Sequence, residues 1–197
     1  MEGNIVLAVF AFVVFLPLLW LIVNFNRFVS VKQQIRESWA DIEVELKRRY
    51  DLIPNLVETV KGYAKHEREV LEQVIQLRNK AMSNEGSASL QAVDETALQI
   101  GVKRLFAVAE AYPTLKADAQ FLALQQELAN TEDRIAAARR FFNGNVREMN
   151  QLCAQFPTNL IASAFGFERS TYFELTNDAE RVVPRVDLHS AQQATRP

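Results

Sequence analysis

A chain of 197 residues has room for one compact domain with a substantial core once a leading apolar stretch is set aside, and not for a second large one. Six Gly and six Pro beside 49% hydrophobic and 23% charged residues argue against a turn-rich sheet protein and for long helices. The formal net charge of -2, with both signs interleaved, excludes a counterion-releasing basic face for nucleic acid, and the single Cys153 can form neither an internal disulfide nor a thiolate metal cluster.

Residues 5–23, IVLAVFAFVVFLPLLWLIV, are 19 in number and carry no charge. At 1.5 Å per residue they reach about 28 Å, enough to cross a hydrocarbon core. Pro17 is expected to bend this helix without abolishing it, and Trp20 suits an interfacial ring. The leading MEGN has no Lys or Arg and no small-x-small site follows, which argues against a cleaved signal peptide. Arg27, Lys32 and Arg36 after the span, against Glu2 before it, predict an N-terminus outside and the remainder in the cytoplasm. Residues 1–26 are therefore read as a transmembrane anchor.

From Phe28 to Leu77 apolar residues recur at intervals of three and four, through Ile35, Ile42, Leu46, Tyr50, Ile53, Val60, Val70 and Val74. This predicts one very long amphipathic track, about 75 Å if it is a single helix. Pro54 interrupts it, either as a kink or as the first turn of a second helix after a bend; the unbroken phase of the stripe favours the kink. AMSNEGSAS, residues 81–89, reads as the first clear loop. A second helix is expected from Leu90 to Tyr112 with Leu90, Val93, Ala97, Ile100, Leu105, Val108 and Ala111 inward, stopped by Pro113. Asp118 can cap a third, whose near-heptad stripe runs from Phe121 through Leu128, Ile135, Phe142 and Met149 to Phe156, before Pro157. A short helix at 160–165 follows, then Phe167, Tyr172 and Phe173 are expected to fold back onto the bundle. The whole is an all-α chain: an N-terminal transmembrane helix, an antiparallel bundle of long amphipathic helices at 27–176, and a polar tail at 177–197.

Three separated runs carry a family likeness: WADIEVELKRRYDLIPNLVETVKGYAKHE, EAYPTLKADAQFLALQQELANTEDRI and FPTNLIASAFGFERSTYF. In this order they resemble the LemA family of bacterial proteins, from the end of the anchor to about Glu174. The resemblance implies a single N-terminal transmembrane helix and a bundle of long helices, with no enzymatic activity established for the family. Arg48, Arg49, Tyr50, Asp51, Pro54, Asn55, Gly62, Tyr63 and Glu67 fall on its first motif block, and Tyr112, Pro113, Glu127, Thr131 and Glu132 on its second. Arg139, Asn143, Val146 and Asn150 match its R…N…V…N pattern, while Phe142 stands where a tyrosine is usual and Met149 where an aromatic is common.

The residues themselves offer no assembled chemistry. His66-Glu67 lacks the second imidazole that a zinc peptidase helix needs, because Val70 stands three residues after Glu67. Neither His66 nor His189 has a glutamate three residues earlier, as a dimetal bundle would require. Cys153 reads as a small hydrophobe beside a stripe. No cofactor, metal set or catalytic residue is expected.

Arg48, Arg49, Asp51 and Asn55 have two readings: charges facing water around a proline bend, or a polar docking surface for another protein. Glu132, Arg139, Asn143, Asn145 and Asn150 lie close enough to the apolar seam to make networks that fix register. The expectation is a non-catalytic, membrane-tethered scaffold or adaptor whose partners are the bilayer and other membrane-associated proteins, not nucleic acid. Self-association is a variant of it, with Val44, Val57 and Phe141 as apolar residues left over for contact. From another class, a sensor or enzyme would use an interhelical pocket near Tyr63, His66, Glu67 and Glu69.

Overall fold

A computed structural model describes residues 2–64 and 66–175, with side chains from residue 12 onward; the tail expected at 177–197 lies outside the described residues. The helices are α1 (Glu2–Tyr63), α2 (Arg68–Met82), α3 (Ala88–Glu110), the single turn α4 (Pro113–Lys116), α5 (Ala119–Ala154) and α6 (Thr158–Phe165). No strand occurs among the described residues. The expected all-α architecture is the observed one, with α1, α2, α3 and α5 running alternately up and down.

The 62 residues of α1 extend about 93 Å at helical rise. Its first part is long and apolar enough to cross a membrane, and Phe12 to Val23 touch little of the bundle. From Phe28 onward the same helix becomes the central core element, burying Phe28, Val31, Ile42, Leu46, Ile53, Leu56 and Val60 along one face. Antiparallel α5 lies along it, tied at one end by Arg27 to Glu148 at 2.8 Å and at the other by Arg48 to Glu127 at 3.8 Å.

The single track to Leu77 is corrected: α1 ends at Tyr63 and the chain turns back before Arg68. Gly62 weakens the last turn, and Glu67 stands where the stripe calls for an apolar residue, so no buried face carries the helix onward. Glu67 N–H closes the turn on the Ala64 carbonyl at 3.1 Å, and Leu71 N–H on Glu67 at 3.3 Å starts α2. Past Phe28 the helix therefore reaches about 53 Å, and α2 folds back beside it.

Pro54 sits inside α1 without ending it. Its ring has no N–H to give to the carbonyl four residues back, that of Tyr50. Arg78 of α2 supplies the missing donor, its Nε–H reaching the Tyr50 oxygen at 2.8 Å. The proline thus opens a carbonyl that the returning helix closes, which sets the register between α1 and α2.

The expected inner face of α3 is also corrected. Leu105 is buried as anticipated, but Leu90, Val93 and Ile100 face solvent, while Gln91, Asp94, Glu95, Leu98 and Gly101 turn inward. Two causes act together. Polar groups on α1 and α2 require the side chains of Gln91, Asp94 and Glu95, and Gly101 lets α3 approach α2 so closely that a Cβ there would stand 2.8 Å from Leu77 Cδ1.

In α5 the expected cap is present, Asp118 accepting from Phe121 N–H at 2.9 Å. Phe121, Leu128, Ile135, Phe142, Val146, Met149 and Leu152 are buried, whereas Phe156 is 80% exposed, against expectation, because the helix has already ended at Ala154. Phe142 meets the Trp39 ring at 5.3 Å, so the absent phenolic hydroxyl leaves an apolar contact.

The segment after α6 is held down by two asparagines. Asn143 exchanges both amide hydrogen bonds with the backbone of Phe173, at 3.0 and 2.9 Å, and Asn150 does the same with Ser170. Seven helical residues rise about 10.5 Å, and three extended residues span about 10 Å, so the two spacings agree. Phe173 is thereby seated, fully buried, against Trp39. Asn145 points the other way, to the Gln34 carbonyl and Ser38 Oγ of α1, both at 3.2 Å.

These contacts have consequences for mutagenesis. Arg78→Ala should cost about 1.5–3 kcal/mol, as expected for a hydrogen bond to a charged donor. The cost should be much smaller in a Pro54→Ala background, where the backbone N–H that alanine restores recloses the Tyr50 carbonyl; a chemical-unfolding cycle measures the coupling. Asn143→Leu should speed amide exchange at Phe173 and Ser170 with little effect on amides in the middle of α1.

Candidate functional site

The centre of the bundle holds a charge cluster. Arg49 lies on the buried face of α1 by spacing, seven residues after Ile42, three after Leu46 and four before Ile53, and is only 1% exposed. Its guanidinium forks between two helices: one Nη donates to Glu95 of α3 at 2.7 Å, the other to Glu132 of α5 at 2.7 Å. Glu95 is fully buried, and Glu132, at 33% side-chain exposure, opens the cluster to solvent on one side.

Tyr50 donates its hydroxyl to Glu95, and Gln91 Nε2 donates to Glu95 at 2.8 Å, to the Tyr50 hydroxyl at 3.1 Å and to the Ala81 carbonyl at 3.0 Å. Burial first, then the adjacent Glu95 charge, drives the Tyr50 hydroxyl far above its ordinary pKa, so it remains a donor. Among the described residues only Arg49 Nε in this cluster has no partner. Such an arrangement holds three helices in one register.

Arg49 is thus corrected out of the expected docking surface, and out of the reading in which it faces water. Arg48, Asp51 and Asn55 do face solvent on α1. Glu132 joins the central cluster, Asn145 makes the expected interhelical contact, and Asn143 and Asn150 serve the C-terminal segment instead. Val44 and Phe141 are exposed as anticipated; Val57 is buried, which removes it from the apolar residues left over for contact.

The expected pocket near Tyr63 and His66 is placed differently. A groove of about 900 Å³ lies between the end of α1 and α2, floored by Val57, Leu71 and Ile75 and edged by Glu58, Lys61 and Arg68. His66 is exposed in the turn and does not line it. The Tyr63 hydroxyl instead donates to Asp118 at 2.8 Å, which raises its pKa and joins α1 to the cap of α5. Asp118 is correspondingly held below the usual carboxylate range, by the Phe121 N–H first and Tyr63 second. No cluster of three metal-ligating side chains occurs among the described residues. Half-buried Cys153 contacts the Phe167 carbonyl, and burial pushes its thiol up despite Arg169, disfavouring the nucleophilic thiolate.

A second polar junction ties α2 to α3. Asp94 accepts from Lys80 at 2.7 Å and Asn84 at 2.6 Å, and the Lys80 hydrogen bond, against the opposing effect of burial, lowers its pKa. A depressed folded-state pKa contributes stability that is full above the ordinary Asp value of about 3.9 and is lost as pH falls through the folded value. Lys80→Ala should therefore be less stable than the parent near neutrality, with the gap closing below about pH 4; unfolding curves across a pH series measure it, and a constant gap would contradict the assignment.

The chain is similar in sequence to several known proteins. The chain is 23% identical over 193 residues to magnetosome protein MamQ of Magnetospirillum gryphiswaldense, covering 84% of this chain and 71% of that one. It is 25% identical over 179 residues to magnetosome protein MamQ 2 of Paramagnetospirillum magneticum, covering 78% and 66%. It is 27% identical over 169 residues to protein LemA of Metamycoplasma hominis, covering 85% and 74%. The chain thus spans between 66% and 74% of the length of these relatives, none of which is named as an enzyme. The sequence pattern of the LemA family matches residues 38–188, from within α1 through the whole bundle, and the chain belongs to the LemA family.

Proposed function

We propose that the chain is a non-catalytic, membrane-tethered helical scaffold, anchored by the first part of α1 in a bacterial inner membrane with its bundle in the cytoplasm. The flanking cations Arg27, Lys32 and Arg36 support that orientation. The observation that carries the scaffold reading is the outer face of α3. Leu90, Val93, Ala97 and Ile100 follow one another at intervals of three, four and three, and the first, second and fourth are exposed. An apolar stripe of that spacing, with no partner among the described residues, suits contact with another helix.

Arg49, which pairs with Glu95 on the inner side of the same helix, lies 26 residues beyond Val23, so the stripe is held about 39 Å from the end of the apolar run. Exposed Arg48, Asp51 and Asn55 on α1 add a polar surface of the kind that selects among partners. The contact is self-association or capture of a membrane-associated protein. A ligand-binding alternative would use the groove beside Leu71 and Ile75.

The test is the oligomeric state and stoichiometric co-purification of the full chain in mild detergent. A discrete multimer or fixed-ratio partner is expected, lost on Val93→Glu with Ile100→Glu, two exposed changes that should leave the helical circular dichroism intact. A monomer without a partner at all concentrations would overturn the scaffold reading.

A further inference from the structure

The membrane-proximal end of the bundle carries an apolar patch that its interior does not use. From Phe156 to Phe167 the sequence FPTNLIASAFGF has no charged residue, whereas Arg147 and Glu148 precede it and Glu168 and Arg169 follow. Ile161 and Ala162 of α6 are buried against Phe28, Val31, Met149 and Leu152. Around these two, among the described residues, Phe156 is 80%, Leu160 58% and Phe165 52% exposed.

This patch is continuous with the apolar run of α1. Phe25 meets the Phe165 ring edge-on at 4.9 Å and the Phe167 ring at 5.7 Å, and Phe28 stacks on Phe167 at 4.6 Å. Phe25 is two residues beyond Val23, about 3 Å along the helix. The α6 helix therefore sits within a single turn of the level at which the exposed apolar surface of α1 ends. Its exposed Phe156, Leu160 and Phe165 lie near that level, an apolar surface of the kind that marks a membrane contact, with charges of both signs flanking it in the sequence.

We propose that α6 and the Phe156 corner form a second membrane contact, seated on the lipid surface beside the point where α1 leaves the bilayer. The inference rests on the apolar run at 5–23 being a membrane span, and its occupant is lipid. The contact fixes the bundle at two points, so that the helices cannot swing about the end of the anchor, and it holds the α3 stripe at a set height and azimuth.

The test uses the full chain with Cys153→Ser, carrying a single environment-sensitive fluorophore at Leu160→Cys, Val14→Cys or Thr114→Cys, reconstituted in phosphatidylcholine vesicles. Some vesicles contain lipids spin-labelled at the headgroup end of the acyl chain, others at the methyl end. The expected result is blue-shifted emission at Leu160 quenched more by the shallow label, deep quenching at Val14, and neither effect at Thr114 on distal α4. Quenching at Val14 with a water-like, unquenched Leu160 would overturn the contact while leaving the span intact. A water-like Val14 would overturn the span and the contact with it.

Discussion

A guanidinium removed from water in the middle of a helical bundle must be answered by charge, and Arg49 is answered from two directions. Its fork joins α1 to Glu95 of α3 and Glu132 of α5, each at 2.7 Å. An unpaired buried cation is among the more costly defects a fold can carry, so the alternatives in which α3 or α5 slips by a turn are penalised. Tyr50, next in sequence, extends the same constraint to Gln91 and through it to the end of α2. Pro54, four residues further, frees the carbonyl that Arg78 closes. One stretch of α1 thus sets the position of every other long helix, which gives a structural reason for Arg49, Tyr50 and Pro54 to stand together.

Much of this is legible in the residues. The apolar run at 5–23, the cap at Asp118, the core face of α5 and the return of Phe173 all follow from local pattern, because each rests on a stripe or cap that a single segment carries. The face of α3 is not legible that way. Its most apolar stripe points outward, and the inner one includes Gln91, Asp94 and Glu95, whose partners lie on α1 and α2. A signal is nonetheless present: Arg49 occupies a stripe position between Leu46 and Ile53, and Glu95 one with Leu98, Leu105 and Ala109. Complementary charges at inward positions of two helices amount to a prediction that those helices face one another.

The same logic explains what the turn at Ala64 does. Apolar periodicity resumes after it in phase, so the stripe alone reads as unbroken, but Glu67 in the seam and Gly62 before it remove both the burial and the stiffness that a longer helix needs. Folding α2 back instead of extending it broadens the bundle. Because the apolar run and the core helix are both parts of α1, whatever fixes the run also orients the bundle.

The organising role of Arg49 is tested most directly by a double-mutant cycle in chemical unfolding of the detergent-solubilised chain. Glu95→Leu alone should cost about 3 kcal/mol, because it leaves the buried Arg49 only the part-exposed Glu132, and the double replacement Arg49→Met with Glu95→Leu should recover most of that loss. Additive single effects, or a Glu95→Leu variant as stable as the parent, would show that the buried pair does not organise the bundle.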